Sequence, residues 1–392
     1  MSCPDITQAE VDAVLQVLRT PYLSIGPRIV EFEKRFAEYI GLPEAVGVSS
    51  GTAGLHLCVI AAGVGPADLV ITTPFSFVAS ANVILYERAI PVFVDIDPQT
   101  LNIDPSLAAE AVRDITSGGR RADHWLPPRL RGGQGAVAPA KPARLKAILP
   151  VHAFGQPAQM DAICATAQHY NLRVIEDACE AIGAEYKGRK AGTWGDAAVF
   201  AFYPNKQMTT GEGGMIVTSN PEWANLFRSL RNQGRDVHDA WLQHSRLGYN
   251  YRMDELSAAL GLCQLQRIEE LLAKRAQVAL WYNQRLNRIP GIQTPFLAPS
   301  TTKMSWFVYV IRLEPGIDRT RLMEELEKRG VPSRPYFTPI HLQPFYREQF
   351  GYKEGDFPIT EAVARSTLAL PFSSVMTEEQ VESVCRTLQR VL

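Results

Sequence analysis

Long apolar runs, paired cysteines and an excess of one charge are all missing from this chain. No stretch of its 392 residues approaches the ~20 consecutive apolar residues that a bilayer-spanning helix needs, so no membrane span is expected. Cys3, Cys58, Cys164, Cys179, Cys263 and Cys385 are scattered, with no CxxC pair. That spacing speaks against a disulfide framework and fits reduced thiols in a cytoplasmic protein. The seven histidines do not fall at ligand spacing from these cysteines, so no metal site is expected. The 40 basic residues nearly balance the 41 acidic ones and are dispersed, so nucleic acid is not an expected partner. The opening stretch MSCPDITQAEVDAV has no basic region followed by an apolar core, and no secretory leader is expected. Two nucleotide-binding patterns are also missing. SSGTAG is not GxGxxG, and TTGEGG lacks the GK[ST] ending of a P-loop. A nicotinamide-dependent dehydrogenase and an ATP-binding protein therefore find no support.

What is present is the composition of a globular protein, 46% apolar and 21% charged, on a chain long enough for a large domain and a smaller one. Between residues 45 and 220, short β-rich runs alternate with helical segments. Strands are expected at Ala45–Ser49, Leu69–Thr73, Ile90–Val94, Ala147–Val151, Arg173–Glu176, Ala197–Phe202 and Met215–Thr218. Helices are expected over Thr52–Ala62 and Ser76–Tyr86. This alternation predicts an α/β fold, a mostly parallel sheet covered on both faces. One long helix is expected from Asp254 to about Leu286. After it come a strand at Trp306–Arg312, a helix at Arg319–Lys328 stopped by Gly330, and a terminal helix at Glu378–Leu392. The expected division is a large domain over 1–265 and a small α+β domain over 266–392. Residues 117–144, rich in Gly, Pro and Arg, interrupt the pattern without periodicity. They suit a surface insertion, or a flap over a substrate entrance whose arginines meet a diphosphate or a neighbouring subunit.

Three local signals bear on chemistry. Asp177 ends the apolar run Arg173–Glu176, and the C-terminal ends of strands face the ligand crevice in open α/β sheets; an aspartate there also suits a helix N-cap. Lys206 follows the run Phe200–Phe202 in a loop punctuated by Pro204 and Gly211. It suits a Schiff-base lysine, whose amine is freed by partial burial near another cation, or a solvated loop lysine. Ser49–Gly54 joins a strand to a helix with small residues, as an anion site at a helix N-terminus requires, and as plain capping also does. Together, a phosphate cradle, an acid and then a lysine suit pyridoxal 5'-phosphate. The phosphate anchors it, the acid keeps its pyridine nitrogen protonated, and the lysine forms the imine.

The stretches SSGTAGLHL (49–57), EDACEAIGAEYKG (176–188), FAFYPNKQMTTGEGG (200–214), RSLRNQGR (228–235), GYNYRMDELSAA (248–259) and PIHLQPFY (339–346) resemble the DegT/StrS-type sugar aminotransferases, a branch of the fold type I pyridoxal-phosphate enzymes. They run in the family's order over nearly the whole chain outside residues 117–144. The resemblance implies catalytic roles for Lys206, the cofactor lysine and proton carrier, and for Asp177, the partner of the pyridinium nitrogen. It assigns Gly51, Thr52 and Ala53 to the phosphate turn and Phe77 to stacking on the cofactor ring, where a core role is the competing expectation. Glu180 stands near the cofactor's phenolic oxygen, where many relatives carry Gln or His. Ala201 stands where some relatives have a phosphate-binding Ser. Asn250 resembles the residue that reaches the neighbouring subunit's cofactor phosphate, which implies a homodimer with shared active sites. Tyr22, Arg28, Arg334 and His341 lie in segments that border the substrate entrance in the family; each also suits a structural role. The implied reaction takes an amino group from glutamate, releasing 2-oxoglutarate and passing through pyridoxamine 5'-phosphate, and gives it to a nucleotide-linked keto sugar. Some relatives replace the lysine by histidine and act as dehydratases; Lys206 favours transamination. A cyclitol or other keto substrate, or a pyridoxal-phosphate-binding regulator without turnover, are the alternatives.

Overall fold

The computed structural model describes residues 2–133, 144–236 and 243–392. Its strands in chain order are β1 Glu44–Val48, β2 Leu69–Thr72, β3 Ile90–Phe93, β4 Leu145–Ile148, β5 Arg173–Asp177, β6 Glu185–Tyr186, β7 Arg189–Lys190, β8 Ala197–Ala201 and β9 Gly214–Thr218. β10 Ile292–Gln293, β11 Thr301–Lys303, β12 Tyr309–Leu313 and β13 Thr367–Leu370 complete the set. Seven strands form one sheet in the order β1-β9-β8-β5-β4-β2-β3. Only β9 runs against its neighbours, pairing antiparallel with both β1 and β8, and the other contacts are parallel. The fold is therefore the expected α/β arrangement, a mostly parallel sheet. Its inner strands are buried along almost their whole length, which is why they read as continuous apolar runs rather than alternating ones.

Apolar clusters fill both faces of this sheet. On one, helix Gly51–Ala61 packs with Val199, Ile216 and Phe227. On the other, helices Pro27–Ile40 and Glu255–Gln266 pack Phe32, Phe36 and Leu262 against Phe200 and Phe202. A second, antiparallel sheet, β10-β12-β13, shares a core with helices Ile268–Leu286, Arg319–Lys328 and Glu378–Val391. Among the described residues no helix is long and apolar enough to cross a membrane.

Four expectations change. The long helix over 254–286 is two helices, Glu255–Gln266 and Ile268–Leu286, with the break at Arg267. There the guanidinium is held by Asp5 and Glu10, each at 2.9 Å, which ties the N-terminal segment to the break. The helix expected from Ser76 starts at Ala79, because the hydroxyls of Thr73, Ser76 and Ser80 make local bonds that compete with a helical turn. The strand expected from Trp306 starts at Tyr309; the carbonyls of Trp306 and Phe307 are taken by Arg275 instead. Residues 117–133 are not loop throughout. Helix Arg120–Trp125 and a 3-10 turn at Pro128–Gly133 occupy them. Trp125 donates to Asp114 at 3.2 Å, and Leu130 packs with Phe93 and Tyr346. The stretch 134–143 of that insertion lies outside the described residues.

Candidate active site

Four segments leave the C-terminal ends of the parallel strands β1, β2, β5 and β8, and they meet at one edge of the sheet. β5 delivers Asp177. Its Oδ2 accepts a 2.6 Å bond from the Ser80 hydroxyl and its Oδ1 a bond from the Cys179 N–H. No helix starts here, so the aspartate is not a helix cap. One turn later, Glu180 is buried, and its Oε2 accepts the Phe154 N–H at 2.8 Å.

β8 delivers Lys206. Its side chain is only 13% exposed, with Nζ 3.6 Å from Glu180 Oε1 and 3.9 Å from the centre of the Phe307 ring. The charged neighbour of the amine is thus a carboxylate, where a cation was expected. Burial pushes the Glu180 carboxyl above its ordinary range, and Asp177 adds to this; Lys206 and the Phe154 N–H pull the other way. The loop around these residues is tied down by Gln207, which donates to the Glu180 carbonyl and, at 2.7 Å, to the Ser305 hydroxyl.

β1 delivers the turn into helix Gly51–Ala61. Ser50 caps it by accepting the Ala53 N–H at 3.1 Å, so the capping role is real. The Gly51 and Thr52 N–H groups still stand in the first turn, where no helix carbonyl can satisfy them and the macrodipole favours an anion. Gly51 is pressed against its neighbours: a Cβ there would lie 2.8 Å from both Ala201 Cβ and Cys179 Sγ. Gly214 on β9 is packed as tightly on the turn itself, where a Cβ would lie 2.7 Å from the Ser50 carbonyl carbon. β2 leads to Phe77, which is 62% exposed. The core role for this ring is therefore excluded; it stands free three residues from the Ser80 that binds Asp177.

The remaining expected residues divide. Asn250 is exposed, and the carbonyl of Tyr251 beside it accepts the Ser49 N–H at 2.8 Å, which brings this segment to the turn before helix Gly51–Ala61 of the same chain. Arg334 is exposed, and its Nη1 donates to the Ser333 carbonyl at 2.8 Å. Tyr22 is exposed. Arg28 is directed elsewhere in the described chain, toward Gln16 at 3.4 Å and Glu31 at 3.7 Å. His341 does not border an entrance. It is fully buried, with Nε2 3.1 Å from Glu361 Oε1 and its ring against Phe357. Burial holds its imidazole below the ordinary range, against the pull of Glu361, as expected for a core histidine.

Ser80, Phe154, Phe307 and Arg275 escaped the reading of the sequence. Ser80 lies in the stretch TTPFSFVAS (72–80), with the hydroxyls at 76 and 80 one turn apart. The contributions of Phe154 and Arg275 are hydrogen bonds to or from backbone groups, which leave no residue-type signature.

A buried lysine beside a carboxylate, an acid at a strand end and a helix N-terminus, at the open edge of a mostly parallel sheet, are the groups that a fold type I pyridoxal-phosphate enzyme requires. The model of the DegT/DnrJ/EryC1/StrS aminotransferase family matches residues 4–389, and the chain belongs to that family. It is 39% identical over 396 residues to GDP-perosamine synthase of Caulobacter vibrioides, covering 100% of this chain and 98% of that protein. Helicobacter pylori PseC, an aminotransferase involved in the biosynthesis of pseudoaminic acid, superposes with a TM-score of 0.85 at 26% identity, covering 100% of this chain and 98% of that one. Spr1654 from Streptococcus pneumoniae in its PMP-form gives a TM-score of 0.85 at 27% identity, with 100% and 98% covered. The cofactor of the family is pyridoxal phosphate, and the residues present fit it. A Cβ at Gly214 would press on the phosphate turn, Asp177 keeps lone pairs free beyond its two donors, and Phe77 offers an uncovered ring face.

Proposed function

We propose that the protein transfers the amino group of L-glutamate to a keto sugar carried on a nucleoside diphosphate, releasing 2-oxoglutarate and an amino sugar. The observation that carries this reading is the meeting of Lys206, Glu180 and Asp177 at the sheet edge beside a helix N-terminus whose first two N–H groups lack helix carbonyls. The likeness to GDP-perosamine synthase over the whole chain supports the sugar and its nucleotide.

Bound pyridoxal phosphate supplies the electron sink that stabilises negative charge on the amino-bearing carbon. Gly51 and Thr52 would bind its phosphate through their first-turn N–H groups, with Ala53 holding the turn through its bond to Ser50. Asp177 would hold the ring nitrogen protonated, and Ser80 and Cys179 keep that carboxylate in place. Phe77 would lie against the ring. Lys206 Nζ would hold the cofactor, and its free amine would take the proton from the donor's α-carbon. Glu180 Oε1 faces that nitrogen, and a carboxyl raised by burial can hold a proton there. Arg334 and Tyr22 face the incoming sugar.

Two copies complete the site in this reading, with Asn250 reaching the partner's cofactor phosphate. Exposed Val11, Leu15 and Leu18 on helix Gln8–Leu18, with Ile25 and Val30 beyond it, support a covered apolar face. The six free cysteines are compatible with a reducing compartment, and the cytoplasm is the proposed location.

A panel of nucleoside-diphosphate keto sugars and free keto cyclitols, each with glutamate, tests the proposal by mass spectrometry of the products. Amination of at least one nucleotide-linked sugar is expected, and the Lys206→Ala protein is expected to aminate none. Turnover confined to a free cyclitol, or retained by Lys206→Ala, would overturn it.

A further inference from the structure

Arg275 on helix Ile268–Leu286 is 1% exposed, and among the described residues no carboxylate forms an ion pair with it. A buried cation without an acid is costly to keep, and burial lowers its pKa to about 10. Its partners are four backbone carbonyls from two distant segments. Nη2 donates to Lys206 at 2.7 Å and to Asn205 at 3.4 Å. Nη1 donates to Phe307 at 3.0 Å and to Trp306 at 3.3 Å. The first pair belongs to the loop after β8, in the large sheet. The second belongs to the segment that enters β12, in the smaller one. These are also the two segments whose side chains meet above, where the Lys206 ammonium rests 3.9 Å from the Phe307 ring centre.

We infer that Arg275 is a positioning residue of the transamination site: its planar guanidinium locks the backbones of Lys206 and Phe307 together, and so fixes where the lysine amine stands as it attaches, leaves and carries a proton. This rests on the proposed role of Lys206. The guanidinium suits the task because its donors form a rigid fork that bridges acceptors on two sides, and it stays charged at any working pH. A lysine offers a point charge on a flexible stem, and a glutamine has too few donors. Neither can hold both segments at once. The smaller sheet thereby gains a direct mechanical connection to the reactive amine, and a shift of β12 against the large sheet is felt at Nζ. Ring and ammonium also form a cation–π pair, which lasts only while the two stay in register.

The test uses the holoenzyme in three variants, Arg275→Gln, Arg275→Lys and Phe307→Leu, with Lys206→Ala as a control. The visible absorption of the bound cofactor is titrated against pH, and kcat and KM for glutamate are measured. Arg275→Gln is expected to lower kcat about tenfold or more with KM changed less, as loss of an oriented reacting group does. The pH midpoint of the visible band is expected to move by more than about half a unit. Arg275→Lys should recover part of the kcat and part of the shift. Phe307→Leu, which leaves the guanidinium contacts in place, should move the midpoint in the same direction, and it serves if Arg275→Gln does not fold. A merely structural arginine would lower thermal stability and leave the midpoint of the folded holoenzyme unmoved. Midpoints of all three variants that superpose on the wild type would overturn the inference. A wild-type band that survives in Lys206→Ala would instead overturn the proposed role of the lysine.

Discussion

At the scale of single residues, the placement of residues that directly follow apolar strands was legible and burial by distant segments was not. Lys206 and Asp177 follow apolar strands in short stretches with their own local signature, and the structure brings both to the sheet edge. His341 has equally suggestive neighbours in PIHLQPFY, yet it is a core residue, because Glu361 and Phe357 close over it from later in the chain. That burial has a consequence in solution. The folded protein holds the imidazole below its ordinary pKa, so the unfolded chain takes up a proton first as pH falls. Stability is therefore present above the ordinary histidine value of about 6.5 and is lost on descending through it toward the lower folded value. Denaturant unfolding at pH 7.5 and pH 5.5 should show a larger loss for the wild type than for His341→Gln. Equal losses would mean that the imidazole titrates alike in both states.

At the scale of elements, the strands could be read from apolar runs because they are buried on both faces, and the starts of elements could not. The helix after β2 begins late because hydroxyls compete for its first turn, and β12 begins late because Arg275 takes the carbonyls before it. Neither competitor acts through periodicity. The phosphate turn owes its shape to a similar contact across elements. Gly214 lies on β9, opposite Val48, and an added Cβ would meet backbone atoms of Ser50 and Gly51 at 2.7 to 2.8 Å. Backbone cannot swing aside as a flexible side chain can. Gly214→Ala should therefore weaken pyridoxal-phosphate binding about tenfold or more, equivalent to about 1.4 kcal/mol. It should also cost about 1–3 kcal/mol of stability through overpacking. Gly65→Ala, where the nearest atom would be a side-chain oxygen at 3.9 Å, is the matched control and should leave affinity within about twofold. Equal affinities in both variants would remove the turn from the cofactor site.

At the scale of the whole molecule, the order of the central-sheet strands was legible, whereas helices such as Gln8–Leu18 and Pro27–Ile40, the strand Thr367–Leu370 and the short helices of residues 117–133 were not anticipated. The face that a second copy would cover is a different kind of feature. Val11, Leu15 and Leu18 recur at helical spacing, and such a pattern reads as core until the structure leaves it in solvent. Leu15→Glu changes a side chain on that exposed face and should leave the fold within about 0.5 kcal/mol of the wild type. By sedimentation velocity the wild type should be a dimer, and the variant should shift toward monomer and lose activity with it. A fully active wild-type monomer would contradict the shared site.

The central claim is that Lys206 holds a working transamination cofactor, and the visible absorption spectrum of the purified holoenzyme, taken before and after addition of glutamate, tests it most directly. A yellow band that bleaches with glutamate, returns with 2-oxoglutarate and is missing from Lys206→Ala is the predicted result. A band indifferent to glutamate, or no band even after addition of pyridoxal phosphate, would contradict it.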